Sequence, residues 1–247
     1  MSDHWDFYAL RVDDQPASIF VDLGIHPWVP VKELSYLAYV RIFMRQPRPD
    51  GLSSSDEYDA LIAIEDALES RLCSHSVQYV GRNTSNGCRD FFFYVASQAE
   101  WATEVADALS AFSSYIYESG CREDPDWRTY LNFLFPGPLS RQRIDNRHVC
   151  EALESHGDPL LVAREIDHWC YFPDDASAVA YLAEVEALGF QVRAKHSIDA
   201  DSPEVGAQVW RIDVPSHDNI NEVTLPLFEA ASRHGGRYDG WECRVEA

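Results

Sequence analysis

Four short stretches of this 247-residue chain place reactive or metal-ligating side chains close together. In Asp167-His168-Trp169 a carboxylate sits beside an imidazole, the pairing that general acid–base catalysis uses. Strand alternation sends Asp167 and Trp169 to one face and His168 to the other, so a strand with one polar face accounts for the triplet better. Tyr238-Asp239-Gly240-Trp241 offers two aromatics of the kind that anchor interfaces. The same residues suit structure: Asp239-Gly240 as a bulge or turn, with Trp241 plugging a core. Asp199-Ala200-Asp201-Ser202-Pro203-Glu204 has the acids of a calcium loop without its glycine or its distal glutamate, and reads as a solvated hairpin loop. Glu65-Asp66-x-x-Glu69 lines three carboxylates beside the apolar stripe of a helix, as a wet face rather than a metal site.

The larger catalytic templates are missing. The chain has no Walker loop, GxGxxG, GxSxG or HExxH. Its cysteines (Cys73, Cys88, Cys121, Cys150, Cys170 and Cys243) are scattered, with no CxxC and no Cys/His pair at zinc spacing. No metal, no cofactor and no enzymatic activity are expected.

The elements that must position these residues follow from periodicity. Trp5, Phe7 and Ala9 alternate, as does Ala17–Val21 after a turn at Asp13–Pro16, giving a hairpin. Tyr36–Met44 reads as a central strand. Ser54-x-x-Glu57 has the form of a capping box before a helix with Leu61, Ile64, Leu68 and Leu72 on one face. Strands at Val77–Gly81 and Asp90–Ala96 follow. Ser97-x-x-Glu100 then opens a helix striped by Trp101, Val105, Leu109, Phe112 and Ile116 and stopped at Gly120. The last strand of this half is expected at Trp127–Phe135. Pro136-Gly137-Pro138 breaks the chain, and the stretch to Arg143 reads as a linker before a short helix at Val149–Ser155.

The order then repeats. Strands are expected at Glu165–Phe172, Phe190–Ile198, Ala207–Val214 and Tyr238–Val245. A helix capped by Asp174, with Val179, Leu182 and Val185 inward, ends at Gly189. Another from Ser216 carries Ile220, Val223, Leu227 and Ala230, with Pro226 expected to kink it or delay its start to Thr224. The fold class is therefore α+β: two tandem ferredoxin-like βαββαβ lobes, the first preceded by a β-hairpin. The domains are residues 1–137 and 144–247. A shared phrase, Gly120…Trp127 and Gly235…Trp241, supports a duplicated lobe.

Charge narrows the partners. The chain carries 41 acids against 20 bases, a net charge of −21, with Lys32 and Lys195 its only lysines. Phosphate backbones are bound by displacing counterions with Lys and Arg, so direct nucleic-acid binding is not expected. Basic partners are attracted instead. The opening MSDHWDFYAL resembles no leader, no apolar run reaches membrane length, and the unpaired cysteines fit a reducing compartment. A cytoplasmic location is expected.

The C-terminal half resembles the bacterial regulator of ribonuclease E activity B family, through Gly157-Asp158, Arg164–Phe172, Leu188-Gly189-Phe190, Ile220–Thr224 and the closing Gly235–Glu242. The N-terminal half is similar to an uncharacterised bacterial family, domain of unknown function 695. That similarity rests on Trp5–Tyr8, Gly81–Thr84, Phe91–Tyr94 and Glu123–Trp127 with Tyr130. The first resemblance implies a ferredoxin-like lobe in a non-catalytic regulator that binds and restrains an RNA-degrading enzyme through an Arg-rich region. Asp167, Tyr238, Asp239 and Trp241 are the candidate partner-binding residues. The alternative is an enzyme or small-ligand binder using His168 and Asp124 as an acid/base pair in a cleft between the lobes.

Overall fold

The computed structural model describes residues 2–197 and 204–246, so the acidic loop beginning at Asp199 lies outside the described residues except for Glu204. The chain divides into two compact α+β units, residues 1–140 and 141–247, each built on one antiparallel sheet.

The first unit opens with a hairpin of β1 (Trp5–Val12) and β2 (Gln15–Asp22). Then come β3 (Tyr36–Phe43), α1 (Ser55–Leu72), β4 (Val77–Ser85), β5 (Cys88–Val95), α2 (Trp101–Ala108) and β6 (Ile116–Glu123), in the sheet order β1-β2-β4-β5-β3-β6. Alternation decides the faces. Ala38, Val40, Ile42, Phe91 and Phe93 meet Leu61, Ile64 and Leu68 of α1 and Trp101 and Val105 of α2 in one core. β4 and β5 run longer than the expected Val77–Gly81 and Asp90–Ala96 towards each other and meet in a two-residue turn, where Asn86 and Gly87 both take the positive φ that a tight hairpin needs.

Three local expectations are corrected. α2 stops at Ala108, and a 3-10 turn at Ser110–Phe112 leads into β6, so the final strand is Ile116–Glu123 and not Trp127–Phe135. Gly120 lies within β6 rather than ending a helix; a Cβ there would stand 2.8 Å from the Tyr39 ring. Neither capping box forms. Glu57 instead accepts the N–H groups of Arg45 and Gln46, both at 2.7 Å, and the residue before α2 is Glu100 at positive φ.

The stretch expected as a strand covers the sheet's second face. Asp124 accepts hydrogen bonds from the N–H of Arg128 (2.8 Å) and Thr129 (3.0 Å) and from the Tyr94 hydroxyl (2.7 Å), turning the chain back. Trp127 is fully buried, stacks on Tyr94 at 3.8 Å and donates Nε1–H to the Leu34 carbonyl. One π-helical turn, Tyr130–Leu134, completes the cover, with the Tyr130 hydroxyl bonded to the Asp22 carbonyl.

α3 (Pro138–Ser155) begins where a linker was expected. Proline suits a first helical turn, because its preset φ fits and its missing N–H has no partner to lose. The second unit continues with β7 (Arg164–Phe172), α4 (Asp175–Ala187), β8 (Gln191–Ser197), β9 (Val205–Asp213), α5 (Ile220–Arg233) and β10 (Arg237–Cys243), in the order β10-β7-β9-β8. Asp174 caps α4 through the Ser177 N–H at 2.8 Å. Ala178, Tyr181, Leu182 and Val185 form its inner face, whereas Val179 points outward. α5 starts at Ile220 and runs through Pro226, held by buried Ile220, Val223, Leu227 and Ala230. Trp127 and Trp241 do not occupy equivalent places: the first lies in a turn after β6, the second within β10.

Both indoles are buried, so Trp127→Ala and Trp241→Ala should each lower stability by about 3–5 kcal/mol in urea unfolding of the full chain. A loss below about 1 kcal/mol for either would show that its indole fills no core.

Candidate functional site

The central strand of the second unit, β7, turns alternate residues to opposite sides. Ile166, His168, Cys170 and Phe172 face the helices and are buried, while Glu165, Asp167, Trp169 and Tyr171 face away. Pairing sets this outer row against Ile212, Trp210, Gln208 and Gly206 of β9. The result is an open sheet face with three half-buried aromatic rings and a largely exposed Ile212.

Two arginines of the chain itself lie on that face. Arg193 of β8 stacks over the Trp210 ring, 5.0 Å from its centroid, and donates to Asp167 at 2.6 Å and to Glu165 at 2.7 Å. Gln208 donates to the same Asp167 oxygen at 3.1 Å. Arg237 stacks 4.2 Å from the Tyr171 centroid and pairs with Asp239 at 2.5 Å. A guanidinium placed over an aromatic ring with carboxylates at its rim is the arrangement that reads arginine.

The residues expected to bind a partner thus separate. Asp167 is on the open face, and Asp239 is exposed beside it on the edge strand β10. Tyr238 and Trp241 are not surface anchors. Their side chains lie in the core beneath β10, where a bulge between Tyr238 and Gly240 resets the strand. Trp241 donates to Asn146 of α3 at 3.0 Å, and Asn146 donates in turn to Thr224 (2.6 Å) and Asn221 (2.9 Å) of α5. Outside this knot runs a groove of about 320 Å³, bordered by Asp145, Val149, Trp169, Asp239 and Glu242.

The two residues of the acid/base alternative lie in different units, and each is held by neighbours of its own. His168 is fully buried and its Nδ1 shares a 2.8 Å hydrogen bond with the Tyr238 hydroxyl. Burial, with Arg211 adding to it, pushes the His168 pKa down to about 3, so the ring is neutral and closed to a substrate. Asp124 spends its carboxylate on the turn within the first unit. Among the described residues no group of three or more His, Cys, Asp or Glu is arranged to hold a metal ion, and Glu65 is paired with Arg82 and with the Tyr79 hydroxyl at 2.8 Å. No helix of the described residues is long and apolar enough to cross a membrane.

Residues 3–135 match the family profile described as a family of unknown function, DUF695. The chain belongs to that family. Residues 143–243, which include the open aromatic face, match a second profile, described as regulator of ribonuclease activity B. No curated protein matches the chain. Among solved structures, an unknown protein from Galdieria sulphuraria is 13% identical, with 83% of this chain and 96% of that one covered and a TM-score of 0.23. A protein from Bacteroides thetaiotaomicron is 8% identical over 83% and 91%, with a TM-score of 0.17.

Trp169 was legible as the outward neighbour of Asp167. Tyr171, Trp210 and Arg193 were not singled out, although alternation in REIDHWCYF and VGAQVWRID puts the first two on the same face as Asp167. Arg193 follows only from the tertiary pairing, since a bulge at Val192–Ala194 shifts its register against β9.

His168 makes the second unit acid-sensitive. Its folded pKa is depressed below the unfolded value, so the unfolded chain takes up a proton that the folded chain refuses. Stability should therefore fall as pH drops from about 6.5 towards 3, by up to about 1.4 kcal/mol per pH unit from this group. His168→Leu should flatten that dependence in urea titrations. An unchanged pH slope would show that another group controls it.

Proposed function

We propose that this protein is a non-catalytic regulator, whose C-terminal unit binds an Arg-rich segment of an RNA-processing enzyme such as ribonuclease E and lowers its activity. The observation that carries this reading is the Arg193 site: one guanidinium held between the Trp210 ring and the carboxylates of Asp167 and Glu165. A partner arginine needs the same three groups, and the neighbouring Tyr171–Asp239 site repeats the pattern. The match of residues 143–243 to the ribonuclease-regulator profile supports the class of target. The net charge of −21 supports the basic character of the partner and argues against RNA itself.

The same reading takes the two halves as separate domains, 1–137 and 144–247. In each, a βαββαβ run with its first strand between its third and fourth is the ferredoxin-like arrangement, and the orders β4-β5-β3-β6 and β8-β9-β7-β10 support it. The six free cysteines are in keeping with a cytoplasmic setting.

Titration of the full chain against an Arg-rich peptide, and against the intact nuclease, tests the proposal. Binding should weaken steeply between low salt and ~0.5 M salt, as the Debye length shrinks to a few ångströms. Asp167→Arg and Trp210→Ala should each weaken it by about tenfold or more, and Asp59→Arg, on α1, by much less. Equal effects of all three variants, or no effect on any nuclease, would sink the reading.

A further inference from the structure

The first unit contains a cation with no anion. Arg89 of β5 is only 3% exposed. Its Nε donates to Thr84 Oγ1 at 3.0 Å and one terminal nitrogen, Nη2, reaches Ser53 Oγ at 3.3 Å, while Nη1 has no acceptor. Among the described residues no carboxylate makes an ion pair with it. The nearby acid, Glu65, is committed to Arg82 and Tyr79. A buried guanidinium without a counter-charge costs several kcal/mol, which is why buried charges are otherwise found paired. Burial, with Arg82 adding to it, already brings the Arg89 pKa down to about 10.

The surroundings specify what would neutralise it. Arg89 borders a groove of about 630 Å³ between α1 and the β2–β4 part of the sheet. At the same end α1, an 18-residue helix, begins with no side chain capping its N-terminus, and the hydroxyl of its first flanking residue, Ser54, is buried without a partner. A guanidinium beside the uncapped N-terminus of a helix, with the Ser53 hydroxyl between them, matches the oxygens of a phosphate. Further along, the groove is bordered by Phe7, Phe20, Tyr58 and Ile62. Phe7 and Tyr58 are each 49% exposed; the acids of α1 that border the groove, Glu65, Asp66 and Glu69, are accompanied by Arg48 and Arg82.

We infer that this groove binds a phosphate monoester with an apolar or aromatic body, its phosphate on Arg89 and the Ser53–Ser54 start of α1, its body against Tyr58 and Phe7. The long Ser53 contact is the one a ligand oxygen replaces, and the vacant Nη1 supplies the second donor of a bidentate pair. The site lies wholly in the N-terminal unit and is independent of the partner-binding face.

Phenyl phosphate and inorganic phosphate, each titrated into the full ¹⁵N-labelled chain, test it. Saturable shifts are expected at the amides of Ser53, Ser54, Thr84 and Arg89, with phenyl phosphate binding about tenfold or more tighter than inorganic phosphate. Arg89→Gln should abolish both. Arg89→Lys keeps the charge but loses the fork, and should weaken both by about tenfold if the glutamine variant does not fold. Tyr58→Ala should weaken phenyl phosphate alone. Equal affinity for the two probes would reduce the site to free phosphate and overturn the monoester assignment. No saturable shift at ~20 mM of either probe, or binding unchanged in Arg89→Lys, would overturn the site itself.

Discussion

A β-strand turns successive side chains to opposite faces of its sheet, so each central strand of this protein meets two environments at once. β3 and β5 meet helices on one side through Val40, Ile42, Phe91 and Phe93. Their other side carries Leu37 and Tyr94, which need a second cover, and the 124–135 segment supplies it by stacking Trp127 on Tyr94. β7 and β9 also face helices on one side, but their outer row runs from the acids Glu165 and Asp167 to the rings of Trp169 and Tyr171, with Trp210 opposite Asp167, and remains partly open. The pleat alone thus separates what stabilises the C-terminal unit from what it can offer to a partner.

Buried polar groups obey the same accounting. Asp158 and Arg164 form a 2.6 Å ion pair with both side chains almost completely buried. Burial would raise the Asp158 pKa, but hydrogen bonds from the Glu246 and Leu160 N–H groups, and from Arg164, hold it below the usual carboxylate range. That pair ties the start of β7 to the chain's end through Glu246. Asn146 does comparable work for α3, accepting from Trp241 and donating to Thr224 and Asn221. Breaking a network of this kind leaves several groups unpaired at once, so such residues tolerate little change. Arg89 stands out because, among the described residues, it is a buried charge without an ion pair.

All but two of the 20 basic residues are arginines, and where they sit is informative. Arg41 with Asp90 joins β3 to β5 and Arg82 with Glu65 joins β4 to α1, while Arg211, paired with Asp213 on its own strand, donates to the Leu188 carbonyl after α4. Arg193 and Arg237 sit instead on half-buried aromatic rings among acids. A surface ion pair of that type contributes little to stability, so it can be exchanged for an intermolecular one at small cost.

The sequence by itself determined the order of most strands and helices, the division into two α+β halves, the helix-facing stripes of α1 and α5, and the opposite facing of His168 and Asp167. These follow from periods of two and 3.6 residues and from local capping at Asp174, all short-range physics. Tertiary structure alone decided the rest. Ser54-x-x-Glu57 forms no capping box because Glu57 found backbone donors twelve residues away at Arg45. Trp127–Phe135 is a cover and not a strand because Asp124 caps a turn and the sheet edge beside β3 was already taken by β6. Tyr238 and Trp241 became core because β10 pairs with β7 in a register that aligns Trp241 with His168. Whether an aromatic residue plugs a core or presents a surface depends on which neighbour reaches it, and local spacing does not encode that.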